Sequence, residues 1–195
     1  MSTLKVDTIL KRTGTGTITV GQSGDTVALP SVTLTTALPI AQGGTGGTSF
    51  AAAGLANTPS FSVKLSANQT ISNASDTKIT LDTENWDTDS AFASNKFTCP
   101  SGGAGKYLFV FSARTDLAID TQAYCYVFKN GSQILESTTG TVKPNATCTA
   151  HMTGSVIVDL AVSDYIELYI YQNSGSSQLA YANYCALMGE RLIGA

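Results

Sequence analysis

Charge is scarce in this chain. Lys, Arg, Asp and Glu make up 13% of its 195 residues, and the net charge is −3. Nucleic-acid binding rests on clustered Lys and Arg. Here Lys5, Lys11, Lys64, Lys78, Lys96, Lys106, Lys129 and Lys143 stand singly, so composition offers no case for a nucleic-acid partner. Histidine is scarcer still. His151 is the only one, which rules out a multi-histidine metal centre. Cys148-x-x-His151 is half a zinc motif, and alternation along a strand sends its two members to opposite faces. No serine sits in a G-x-S-x-G elbow, and the Gly-rich segment lacks the following Lys-Ser/Thr of a phosphate loop. A catalytic role is not expected, nor is a cofactor. No run approaches the roughly 20 apolar residues of a membrane span, so membrane insertion is not expected. The start, MSTLKVDTILKRTGTG, lacks the apolar core of a signal peptide. That points to assembly in a cytoplasm, where Cys99, Cys125, Cys148 and Cys185 would remain free thiols. A disulfide pairing is the alternative, with no connectivity readable from spacing.

What is present is Ser, Thr, Gly, Asn and β-branched residues in abundance, with 43% hydrophobics. That mixture favours strands and turns over helices and predicts an all-β protein. Residues 1–40 hold four short β-prone runs, with Ile18/Val20, Val27/Leu29 and Val32/Leu34 at period-two spacing. They are too small to bury a core alone. An attachment or trimerisation module is expected there, docking on another protein or intertwining with copies of itself.

Residues 41–60 form a joint. Gly43, Gly44, Gly46 and Gly47 interleave with Thr45 and Thr48, where the backbone must turn or approach another backbone closely. Ser49 to Leu55 then offers a cap, an alanine run and a glycine stop, predicting one short helical turn. The stretch AQGGTGGTSFAAAGLA resembles the GGTG-T-…-A-x-x-L element of bacteriophage tail-fibre proteins, which precedes a distal domain. An ordinary Gly/Thr linker is the plain alternative.

Residues 61–195 read as the head. Strand-like runs cover 61–65, 77–83, 95–100, 105–115, 122–130, 132–138, 146–160, 164–172 and 178–192. Many short strands between turn residues predict a sandwich or barrel. Asn130-Gly131 is a strong hairpin signal, because both residues tolerate positive φ in a type I′ turn. Two strands are apolar on both faces: Tyr107, Phe109 and Phe111 oppose Leu108 and Val110, and Tyr165, Tyr169 and Tyr171 oppose Ile166, Leu168 and Ile170. A one-sided antiparallel sheet alternates polar with apolar, and Tyr is enriched where a surface meets a partner. These six aromatics are therefore expected to line a trimer interface; a large two-layer core is the alternative. Asp82, Glu84, Asp87 and Asp89 form an acidic cluster that could hold a calcium ion, although without EF-hand spacing.

The head resembles the jelly-roll family of complement globular heads and tumour necrosis factors. The matching residues include Phe97-Thr98-Cys99-Pro100 ahead of Gly105-Lys106-Tyr107-Leu108-Phe109, and Leu160 ahead of Ser163-Asp164-Tyr165-Ile166-Glu167-Leu168. Ser163 stands where that family usually has Gly, and Leu187-Met188 replaces a closing aromatic pair. The resemblance implies an antiparallel jelly-roll sandwich, a homotrimer around a threefold axis, and binding rather than catalysis. With the joint, it points to a structural virion protein of a bacteriophage. This would be a homotrimeric tail or head fibre assembled in the host cytoplasm, held to another virion protein through residues 1–40. Its tip would mediate adhesion to a host-surface glycan or protein. The alternatives are a capsid decoration protein and, from another class, a secreted trimeric ligand of the complement or necrosis-factor type. A depolymerase would need paired carboxylates in a groove.

Overall fold

The computed structural model describes residues 57–142, 146 and 148–192. The expectations for residues 1–40, for the short helical turn and for the joint glycines Gly43, Gly44, Gly46 and Gly47 lie outside the described residues. Fourteen strands follow in order: β1 (Ser60–Lys64), β2 (Gln69–Ile71), β3 (Thr77–Lys78), β4 (Thr83–Asp87), β5 (Phe92–Ala93), β6 (Lys96–Thr98), β7 (Gly105–Leu117), β8 (Gln122–Lys129), β9 (Ser132–Gln133), β10 (Thr139–Val142), β11 (Cys148–Leu160), β12 (Tyr165–Gln172), β13 (Gln178–Ala180) and β14 (Ala186–Arg191). The described residues contain no α-helix, only a 3-10 turn at Leu135–Ser137.

Among the described residues all pairings are antiparallel and fall into two sheets. One runs β4-β1-β14-β7-β11, with β13 and β2 continuing from the far end of β7; the other runs β10-β8-β12-β6-β5, with β3 and β9 added. Eight strands carry the sandwich: β1, β6, β7, β8, β10, β11, β12 and β14. Numbered in chain order, they lie first–eighth–third–sixth in one sheet and second–seventh–fourth–fifth in the other. That interleaving is the double Greek key of a jelly roll, so the chain has the predicted fold class.

The core lies between the sheets. Along β7 alternate residues from Tyr107 to Leu117 are buried while their neighbours are half-exposed. Phe61 stacks on Phe97 with ring centroids 4.7 Å apart, and Phe97 meets Phe109 at 6.0 Å and Tyr107 at 5.4 Å. The Tyr107 hydroxyl donates to the Gly103 carbonyl, so its polar end is satisfied inside the core. Opposite them Ile166, Leu168 and Ile170 of β12 and Ala123, Cys125 and Val127 of β8 are fully buried. This corrects the expectation for Tyr107, Phe109 and Phe111. With none of their surface exposed, they face the second sheet of the same chain and have nothing left to offer a neighbouring copy.

The Asn130–Gly131 turn is as predicted: φ is 53° and 78°, between a ladder that pairs Lys129 with Ser132. Elsewhere runs that read as one strand are divided. After β3, residues 79–82 leave the ladder and cross between the sheets, from Leu168 O, which takes the Ile79 N–H, to Lys64 O, which takes the Asp82 N–H. The Thr80 N–H goes to Gln69 Oε1. The run 132–138 stops after two residues because the Ser137 hydroxyl bonds back to the Ile134 carbonyl at 2.6 Å and receives the Val127 N–H at 3.0 Å. Short hydroxylic side chains compete with the ladder in this way. The run 178–192 breaks at 181–185, where Asn183 takes φ 62°.

Candidate interaction surfaces

The outer face of the β4-β1-β14-β7-β11 sheet can be read row by row from its register. Ser62 pairs with Trp86 and Met188, Met188 with Val110, and Val110 with Ser155. The next row is Ser60, Glu190, Leu108 and Ile157. Trp86, Leu108, Val110, Ile157 and Met188 therefore share one side. Trp86 is 51% exposed, Ile157 58% and Met188 38%. Between Trp86 and the Leu108–Val110 pair lies an open groove of about 250 Å³, floored by Met188 and Gly189. Large side chains left open in one contiguous patch mark an interaction surface rather than a solvated face.

The same face changes character toward the far end of β7. Arg114 lies opposite His151 of β11. Its guanidinium carbon stands 4.3 Å from the Tyr184 ring centroid and 5.0 Å from that of Tyr181. The 181–184 turn that carries the two tyrosines is tied down at four points, one of them the Asn183 N–H donating to the Leu65 carbonyl. The Tyr181 N–H donates to the Arg114 carbonyl, the Ser112 hydroxyl to the Tyr184 carbonyl, and the Ala182 N–H to Asn68 Oδ1. Asp116, next on this face, receives the Tyr181 hydroxyl and, at 3.1 Å, that of Thr149. The hydrogen bond to Asp116 raises the Tyr181 pKa, so its hydroxyl stays protonated.

The outer face of the second sheet carries the other predicted aromatics. Tyr165, Tyr169 and Tyr171 do point outward from β12, beside Tyr124, Tyr126 and Phe128 of β8. Their own subunit uses much of them. Phe128 stacks on Tyr169 at 4.1 Å, Lys96 Nζ sits 4.3 Å over Tyr165, and the Tyr126 hydroxyl donates to Asp76. Lys78 pairs with the buried Glu167 between them at 2.6 Å. Burial and the Glu167 carboxylate raise the Tyr169 pKa.

Asp82, Glu84, Asp87 and Asp89 do not converge. Asp82 accepts the Ser66 N–H and hydroxyl, Asp87 accepts the Phe92 N–H, and Asp89 accepts the Thr88 hydroxyl, each serving its own turn. Glu84 stands exposed. Among the described residues no group of His, Cys, Asp and Glu is arranged to hold a metal ion. Cys99, Cys125, Cys148 and Cys185 are unpaired; three are buried and Cys148 is exposed. Burial raises the thiol pKa of Cys99, Cys125 and Cys185.

Two signals for these surfaces were present in the sequence and carried little weight there. The only tryptophan falls in the polar segment Asn85-Trp86-Asp87, and Met188 stands where an aromatic pair was expected. Arg114 gave no signal at all, because its aromatic partners lie about seventy residues away in the chain.

No protein-family model and no curated protein matches this chain. Among solved structures it is similar to the globular domain of zebrafish complement 1qA protein, at 18% identity and a TM-score of 0.48, over 69% of this chain and 98% of that one. It is also similar to murine APRIL at pH 5.0, at 13% identity and a TM-score of 0.48, over 68% and 99% of the two chains. The fold assignment rests on the strand order itself.

Proposed function

We propose that this chain is a homotrimeric binding head rather than an enzyme. It self-associates through the Trp86–Leu108–Val110–Ile157–Met188 face and presents its remaining surface to a partner. The observation that carries this reading is that exposed apolar sheet face with its groove. Closed symmetry is the economical way to cover such a face, since it buries one patch in every copy. The number three comes from the family resemblance, whose jelly rolls pack around a threefold axis.

On fold alone, the head suits a secreted trimeric ligand of the complement or necrosis-factor type. A specific sequence observation favours the second reading, a bacteriophage fibre. The Gly43–Gly47 joint leads into the head as it does in tail-fibre proteins, with residues 1–40 left to attach to another virion protein. In that setting the head is a host-adhesion tip or a capsid decoration, assembled in the host cytoplasm. Labelled antibody and electron microscopy of intact particles separate these placements.

Mass photometry of the full chain tests the common core of both readings. The expected result is a species of three subunit masses, with Met188→Asp and Trp86→Asp shifting it to smaller species. A well-folded monomer at micromolar concentration would overturn the proposal.

A further inference from the structure

The Arg114 end of the exposed sheet face is built differently from the apolar end. Four residues along β7 separate Arg114 from Val110, or about 14 Å of strand, so the groove and the cluster are distinct places on one surface. Arg114 is half-buried, and its Nε is buried with no acceptor. Among the described residues no carboxylate pairs with its guanidinium. Asp116, the acid on the same face, already accepts hydroxyls from Tyr181 and Thr149. A guanidinium is always charged, is planar and carries five donors in a fixed fork matched to a carboxylate. Stacking against two tyrosine rings fixes its plane while supplying no acceptor. Nearby, Tyr184 is 45% exposed and meets the exposed His151 ring edge-on at 6.0 Å.

We propose that Arg114, Tyr181, Tyr184 and His151 form a binding site for a carboxylated sugar. Arg114 takes the carboxylate, the open part of the Tyr184 ring takes an apolar C–H face of the pyranose, and His151 and the exposed Thr149 of β11 reach ring hydroxyls. The surroundings favour a sugar over an acidic peptide. Among the described residues Arg114 and His151 are the only basic side chains in the cluster, and Asp116 beside them repels a chain of several carboxylates. A single acid on a polyhydroxylated ring matches one cation, one open aromatic and neighbouring hydroxyls. The inference rests on the binding-head reading, whose ligand it identifies by class.

The test titrates the full-length protein with methyl β-D-glucuronide and with methyl β-D-glucoside, which differ only in the carboxylate. The readouts are calorimetry and chemical-shift changes at Arg114 and Tyr184. The glucuronide is expected to bind at least tenfold more tightly than the glucoside. Arg114→Gln should abolish that preference, Arg114→Lys should restore only part of it, and Tyr184→Ala should weaken both sugars. Equal affinity for the two glycosides would overturn the proposal. So would tighter binding of an acidic peptide at the same residues. An Arg114→Gln variant whose oligomeric mass changes while its sugar binding does not would make Arg114 an assembly residue, and would equally overturn it. Selective glucuronide binding by a protein found to be monomeric would leave the site standing and remove the trimer. A trimer without that selectivity would do the reverse.

Discussion

Gly154 lies on β11 directly opposite Phe111 of β7, and the ring of Phe111 covers it. A Cβ at position 154 would stand 2.5 Å from Phe111 Cζ, 2.7 Å from Cε2 and 3.2 Å from Thr139 Cγ2. Ordinary contact begins near 3.4 Å, so the ring would have to retreat by about 1 Å. It has nowhere to go, because Phe111 is fully buried between the sheets and interiors are packed to crystal density. Overpacking of this kind costs about 1–3 kcal/mol. Alanine in place of glycine in a strand returns about 0.5–1 kcal/mol of backbone entropy. Gly154→Ala should therefore destabilise the head by about 1–2 kcal/mol, lowering its melting temperature by roughly 2–8 °C. In a Phe111→Leu background the obstructing ring atoms are gone. There the same alanine should cost about 0.5 kcal/mol or less, or even stabilise, giving a coupling energy of at least about 0.5 kcal/mol between the sites. Thermal and urea melts of the four proteins at one fixed concentration measure this, since assembly would link stability to concentration. An identical cost in both backgrounds would refute the argument that the ring excludes a side chain at 154.

Two further outcomes follow from the polar contacts and the thiols. Hydrogen bonds from Lys129 first, then from the Asn130 amide and the Ala161 N–H, lower the Asp164 pKa from 3.8 to about 2. A pKa depressed on folding stabilises the native state above the unfolded value. That contribution should therefore be fully present above about pH 4 and be lost as pH falls toward 2. Urea melts should show the stability gap between wild type and Asp164→Asn narrowing across that window; a gap independent of pH would refute it. For the cysteines, a thiol reagent should modify Cys148 alone in the native protein and Cys99, Cys125 and Cys185 only after unfolding, with prompt labelling of more than one thiol as the contrary result.

Local signals in this sequence were legible where the backbone alone decides. Asn130-Gly131 specifies its hairpin because both residues accept positive φ at little cost, and the long runs at 105–115 and 146–160 became β7 and β11. The missed strands are short and polar. β4 contains Thr83, Glu84, Asn85 and Asp87 around one tryptophan, and β10 is Thr139–Val142. Such segments are strands because a neighbour's ladder holds them, which no local pattern announces. The divided runs at 77–83 and 132–138 failed for the converse reason. Gln69 and Ser137 intercept backbone groups that the apolar alternation assigned to a ladder.

The faces of β7 mark the deeper boundary. Period-two alternation divides Tyr107, Phe109 and Phe111 from Leu108 and Val110 with no ambiguity, yet both sets are apolar, so alternation cannot say which set the second sheet covers. Bulk decides it. The three aromatics fill the space between sheets, and the shorter aliphatics are left outside, where Trp86, Ile157 and Met188 extend their patch. β7 is therefore apolar on both faces, and its aromatic side is the one turned inward. The same choice of face explains why Arg114 was invisible. It follows the aliphatics on the outward parity of β7, and becomes a site only because the 181–184 turn, pinned to Arg114, Ser112 and Asn68, brings two tyrosines against it. Local pattern thus set the strands and their parity, whereas the assignment of faces, and the chemistry that depends on it, arose from contacts made only when the sandwich closes.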